Sequence, residues 1–177
     1  MHTHSSEHNA IPEHEARQRL WSLVKDIRFA MFTARHASSG HLHSWPMTTQ
    51  NTKLDEDSSL WFFMSRKNEA VTDIVGDPIV NVVYADPGSD SYVSVSGDAA
   101  VVNDAAKTKQ LWSKMAEAWF PLGPNDPDLA LIRVRIVHAN YWDVKESKIV
   151  QLFKMAKAAA TGQPPTRMGE HAEVRMR

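Results

Sequence analysis

Leu20, Leu23, Val24 and Ile27 fall at i, i+3, i+4 and i+7, the spacing that lines one face of a helix opening near Glu13. Pro12 stands where such a helix begins, and Glu13 and Glu15 suit the positive end of its dipole. The apolar run from Ile27 to Ala34 lacks that period and predicts a strand buried on both faces. A Ser38–Gly40 turn leads to a second extended run, His41 to Thr52. A third, Leu60 to Met64, follows the acidic turn Asp55-Glu56-Asp57. Asn68 to Val75 reads as a short helix ended by Gly76-Asp77-Pro78, and Ile79 to Tyr84 as a strand ended by Asp86-Pro87-Gly88.

Val93 and Val95 alternate with Tyr92, Ser94 and Ser96, a half-buried strand in which Gly97 marks a bulge or a close backbone approach. Asn103-Asp104 can cap a helix carrying Leu111, Trp112, Met115 and Trp119, its tryptophans suited to core or dimer contacts. Pro121 to Pro127 is a loop, and Asp126 and Asp128 about Pro127 read as a turn. Ile132, Val134 and Ile136 against Arg133 and Arg135 give the clearest two-residue period, running on toward Trp142. Ile149, Leu152, Phe153 and Ala156 mark a last amphipathic helix, stopped by Gly162 and Pro164-Pro165. The expected organisation is a flexible segment 1–12, one domain over 13–162 and a tail over 163–177. About six strands on short turns, with flanking helices, make the class α+β; an antiparallel barrel would use all of these parts.

Composition narrows the function. The 177 residues are 42% hydrophobic and carry a formal net charge of −1, so neither a nucleic-acid groove nor a polybasic membrane anchor is expected. No apolar run approaches the roughly 18 residues that span a bilayer, and the N-terminus lacks a signal peptide's apolar core; a cytoplasmic protein is expected. The absence of cysteine excludes disulfides, thiolate nucleophiles and Cys-ligated metals. Neither a Walker loop nor a dinucleotide fingerprint is present. Nothing places a nucleophilic triad or paired carboxylates together, so no catalytic residue is assigned. His2, His4 and His8 suit loose metal capture at most. His41 and His43 share one strand face but have no paired carboxylate, and His36 and His138 join no constellation; no metal site is expected.

Four stretches in order are more specific: GHLHSWPMTTQ (Gly40–Gln50), LWFFMSRKNEAVTDIVGDPIVNVVY (Leu60–Tyr84), YVSVSGDAAVVNDAAKTKQLW (Tyr92–Trp112) and WFPLGPNDPDLALIRVRIVHANYWD (Trp119–Asp143). Together they resemble the general-stress branch of the pyridoxamine 5'-phosphate oxidase-like family, over roughly Glu13 to Gly162. The resemblance implies an antiparallel six-stranded split β-barrel with flanking helices, a homodimer, and FMN held in a groove between the subunits. It also implies a stress role and a capacity for weak flavin-dependent oxidoreduction. The family pattern has Arg-Pro-Met on the second strand, Phe-Thr ending the third, Ser-x-Lys opening the next helix, and a Trp near the last strand. Here Pro46, Met47, Phe62, Phe63 and Trp142 match, and Gln50 takes a polar position facing the flavin. Trp45 stands at the Arg, Met64 at the Thr, and a gapless count puts Asn68 at the Ser and Ala70 at the Lys. A rival register uses Ser65-Arg66-Lys67 instead.

The cofactor set implied is therefore Trp45, Pro46, Met47, Thr48, Thr49, Gln50, Phe62, Phe63, Met64, Asn68 and Trp142. The backbone of 47–49 would read the isoalloxazine edge, and Asn68 with its helix start would meet the phosphate. Trp45 either fills the cavity or offers a stacking face. The substitutions Trp45, Met64 and Ala70 leave an alternative open: a non-catalytic dimeric binding module that has lost FMN affinity. A further alternative is another small planar ligand, haem or a deazaflavin, with His41 or His43 in contact.

Overall fold

The computed structural model describes residues 13–54, 57–144, 148–163 and 170–176, without the side chains of 148–151 and 170. Segment 1–12, Asp55, Glu56 and Pro164-Pro165, all given roles above, lie outside the described residues, as does the side chain of Ile149. Helix α1 (Glu13–Ile27) buries Leu20, Leu23 and Val24 of the stripe its spacing predicts, together with Ala16, while Ile27 is half-buried. It stops where Arg28 takes a left-handed φ of 63°. Strand β1 (Phe29–Arg35) therefore starts two residues later than expected, and only one of its faces is buried: Ala30, Phe32 and Ala34 point inward while Phe29 and Met31 are exposed.

The remaining elements are β2 (Leu42–Thr48), β3 (Ser59–Ser65), α2 (Glu69–Gly76), β4 (Ile79–Asp86), β5 (Ser91–Val102), α3 (Ala105–Leu111), α4 (Lys114–Glu117), β6 (Leu129–Asp143), α5 (Lys148–Thr161) and β7 (Glu170–Arg175). The strands are ordered β2-β1-β4-β5-β6-β3, antiparallel throughout, and the two ends of that path meet at a single bridge, Thr49 to Phe62. This is the six-stranded split barrel that the resemblance implies. One strand was not expected: β7, within the stretch read as a tail, pairs with the far half of β6 and buries Val174. No helix among the described residues is long and apolar enough to cross a membrane.

Two cores form because β3 is buried on both sides. Leu60, Phe62 and Met64 join the barrel interior, where Phe62 meets Phe32 edge to face at 5.7 Å. Trp61 and Phe63 face outward into a second cluster with Leu111, Ala116, Phe120, Leu129 and Leu131. The single helix expected over Leu111–Trp119 is broken. Trp112 and Ser113 are extended and separate α3 from α4, which lets Trp112 lie back on Phe63 at 5.8 Å. Asp104 caps α3 as expected, accepting from Lys107 N–H at 2.8 Å. Gly162 ends α5 at a φ of +67°, its N–H donated to Ala158 O.

Gly97 carries both features that its place in the strand suggests. The β5–β6 register shifts between Ser96 and Gly97, and a Cβ there would lie 2.3 Å from the Arg135 carbonyl oxygen. Backbone cannot yield as a flexible side chain would. Gly97→Ala should lower the unfolding free energy by about 2–3 kcal/mol, the upper part of the overpacking range. Urea denaturation of the two proteins measures it, and an unchanged midpoint would refute the tight packing.

Candidate functional site

The barrel seam opens into a cleft. Continuing the ladder from the Thr49–Phe62 bridge would pair Thr48 with Phe63, Met47 with Met64 and Pro46 with Ser65, yet these strands diverge instead. The gap is a cavity of about 290 Å³ lined by these six residues, Gln50 and Asn68, and roofed by Met115, Ala116, Trp119 and Phe120 of the second cluster's border. Most of the wall is apolar, with a few polar groups converging on it, the composition of a small-molecule site.

Seven of the eleven candidate residues meet here: Pro46, Met47, Thr48, Gln50, Phe63, Met64 and Asn68. The other four lie elsewhere. Trp45 pairs with Phe32, and its half-buried side chain packs against the barrel core, so it fills interior space and leaves the cleft without an indole at that position. Phe62 is fully buried core. Thr49 is buried, its Oγ1 2.6 Å from Tyr84 Oη, and it fastens the seam. Trp142 stacks on His171 at 5.1 Å, thirteen residues along β6 from Leu129, the partner of Ser65. That is roughly 40 Å of strand, so Trp142 does not line its own chain's cleft.

Polar groups at the cleft are mostly committed. Gln50 donates its backbone N–H to Trp61 O at 2.8 Å and its Nε2–H to Thr48 O at 3.1 Å. Its Oε1 is buried with no hydrogen-bond partner. Asn68 caps α2, Oδ1 accepting from Ala70 N–H at 2.9 Å. Ser65 donates its Oγ–H to Asp128 Oδ2 at 2.7 Å. Ala70 is fully buried in the barrel core and is not part of the cleft wall. The rival register fits the geometry better: Ser65 lines the cleft, and Arg66 and Lys67 follow it, both exposed.

Residue spacing missed the roof. Met115, Ala116, Trp119 and Phe120 line the cleft from beyond the break at Trp112–Ser113. The hint in the sequence was Trp119 beside the Pro121–Pro127 loop, and the structure leaves it 80% exposed.

The chain belongs to the pyridoxamine 5'-phosphate oxidase-like family, whose pattern matches residues 15–166. Protein bli-3 of Neurospora crassa is 26% identical over 155 residues, covering 83% of this chain and 74% of that protein. Among solved structures, general stress protein 26 of Jannaschia sp. CCS1 superposes with a TM-score of 0.71 at 24% identity, over 92% of this chain and 99% of that one. The general stress FMN/FAD binding protein of Xanthomonas citri gives 0.64 at 29% identity, over 76% and 92%.

Burial pushes the Tyr84 phenol well above its ordinary value, against the smaller opposing effect of the Thr49 hydrogen bond. Below the unfolded-state value near 10 the neutral phenol costs nothing to keep; above it, unfolding releases a proton. Stability should fall as pH rises past about 10, by at most about 1.4 kcal/mol per pH unit from this group. Between pH 9 and 11 the loss from this group is about 1.4 kcal/mol in all, so Tyr84→Phe should lower the average slope there by about 0.7 kcal/mol per pH unit. Identical slopes for the two proteins in urea melts would show that the seam phenol is not held neutral.

Proposed function

We propose that the cleft receives the ring system of a flavin, FMN in the first instance, and that two copies of the chain assemble around it. Gln50 Oε1 carries the reading: a buried acceptor without a donor, beside the apolar walls of Met47, Phe63, Met115 and Trp119. Leaving such an atom unpaired costs about 1–3 kcal/mol, which an N–H on the edge of a flat apolar ligand would recover. The diverging strand edges at 46–48 and 63–65 add backbone groups along the same rim. Family membership and the name of the Xanthomonas citri protein support the same ligand. A cavity of about 290 Å³ sits at the lower end of ligand-site sizes, as suits a half-site completed by a partner. Bound flavin would supply electron-transfer chemistry; the chain would orient the ring and exclude water.

The phosphate end fits less well, and this favours a second reading. Asp128 places a carboxylate at Ser65, and among the described residues no Arg or Lys lines the cavity, leaving the exposed Arg66 and Lys67 beside it. A planar ligand without a phosphate would suit this wall better, in a module with little affinity for FMN over riboflavin. Parallel titrations with FMN and riboflavin separate the two. The flavin reading expects micromolar binding, weakened roughly tenfold or more by Gln50→Leu. Equal affinities would favour the second reading, and no binding of either at millimolar concentration would end the first.

The dimer has its own support. Phe29, Met31, Leu42 and Ile79 are 61%, 44%, 64% and 69% exposed on the outer face of the β2-β1-β4 layer. On that face Met31 and Phe29 pair with Pro46 and Thr48 of the cleft. A second copy covering it would abut the cavity. Sedimentation at micromolar concentration should give twice the 19.9 kDa of the chain, and Met31→Glu should shift the protein to monomer. A stable wild-type monomer would remove the shared groove.

A further inference from the structure

His36, just beyond β1, was assigned to no constellation, but the fold gives it one. The turn after β1 closes through His36 N–H to His41 O at 2.8 Å and returns the chain as β2, setting His43 opposite Ala34. The two imidazoles then face each other, ring centres 4.4 Å apart. Across sequence, α2 brings Glu69, whose Oε2 lies 3.3 Å from His36 Nε2. Asp73, one helical turn on and 3% exposed, pins the turn by accepting from Ala37 N–H at 2.9 Å. One ligand atom from each of His36, His43 and Glu69 lies within 4.8 Å of the other two.

We propose that His36, His43 and Glu69 form a binding site for a divalent transition-metal ion, zinc foremost, at the end of the barrel reached by α2. Two imidazole nitrogens and one carboxylate suit Zn2+, Co2+ or Ni2+; Ca2+ and Mg2+ prefer all-oxygen shells. Ligands about 2.0–2.1 Å from a tetrahedral ion lie roughly 3.3 Å apart, which the His36–Glu69 pair already satisfies. The third ligand needs a shift of about 1.5 Å at most, within the freedom of an exposed glutamate and a half-buried histidine. His36 Nδ1 accepts from Ser38 N–H at 3.3 Å and lies 2.9 Å from Ser38 Oγ, so a metal at Nε2 takes the place of the proton that faces Glu69 there. A simple His36–Glu69 ion pair would need no second imidazole beside the first, tilted 39° to it. The fourth position opens to solvent beside Glu69, whose side chain is 69% exposed. His41 contributes nothing to the group.

The site borders the cleft, since Glu69 follows Asn68 in the chain and His43 precedes Pro46 by three residues, roughly 10 Å along β2. Its test is run without flavin, so the proposal is decided apart from flavin binding. It has a built-in reporter, since the Trp45 ring is 6.1 Å from that of His43.

Co2+ titration of the full chain tests it, followed by absorbance and tryptophan fluorescence, with Zn2+ as competitor. The proposal expects one equivalent per chain, the intense visible absorption of a low-coordinate ion, and quenching that Trp45→Phe reduces. Glu69→Gln and His43→Gln should each lower affinity at least about tenfold, the loss typical even of groups that only support a ligand. Glu69 is exposed, so that variant should keep the wild-type melting temperature without metal. Combined His2→Asn, His4→Asn and His8→Asn substitutions should leave the spectrum unchanged. The proposal is overturned by no binding, by binding that survives both ligand substitutions, or by binding lost with the N-terminal histidines.

Discussion

The antiparallel path from β2 to β3 ends in two edges, and the molecule depends on where those edges touch. They are joined at Thr49 and Phe62, reinforced by Gln50 N–H to Trp61 O and by the buried Thr49–Tyr84 hydrogen bond. Unpaired strand groups are costly unless satisfied, so a short seam fastened at one point leaves an open stretch beside it. That stretch is the cleft. Closure and ligand space are thus one decision of the chain: the residues just past the bridge are freed because the strands stop pairing there.

β3 turns that seam into a site. Burial on both faces makes it the shared wall of two cores, with Phe62 and Met64 inside the barrel and Trp61 and Phe63 beneath α3 and α4. The second cluster carries Met115, Trp119 and Phe120 over the gap. Polar chemistry at the cleft is sparse and nearly all engaged in holding the scaffold, which makes the unpaired Gln50 acceptor stand out.

Much of the barrel was legible in the sequence where side chains alternate about a single buried face, as at Val93 and Val95 against Ser94 and Ser96. Gly97 was legible because only a residue without Cβ fits against the Arg135 carbonyl. β1 misled because Phe29 and Met31 look the same in a sequence whether their face is covered or bare. β7 gave no signal: six residues, one inward valine and a charged outer row read as tail. The roof was hidden by a break at Trp112 that helical spacing passes over, and the His36–Glu69 approach joins residues thirty-three apart through a turn and a helix start. Seven candidates converge because β2 and β3 were placed correctly; Thr49 and Phe62 went to the seam because the two strands bridge there, and Trp45 packs on the barrel core.

β7 has a consequence for the order of assembly. It covers the half of β6 that β3 leaves free, lies against α1, and seats Val174 in the same core as Leu20 and Val24. The first helix described and the last strand described are therefore neighbours, and Arg19 and Asp143 tie α1 to the end of β6 beside them. On a ribosome, which delivers the chain from its N-terminus, α1 and the barrel strands emerge well before the segment that finishes their packing. Until it arrives, one flank of β6 is a bare strand edge beside an uncovered apolar helix face. Removing β7 from the folded protein would leave that same edge and helix face bare.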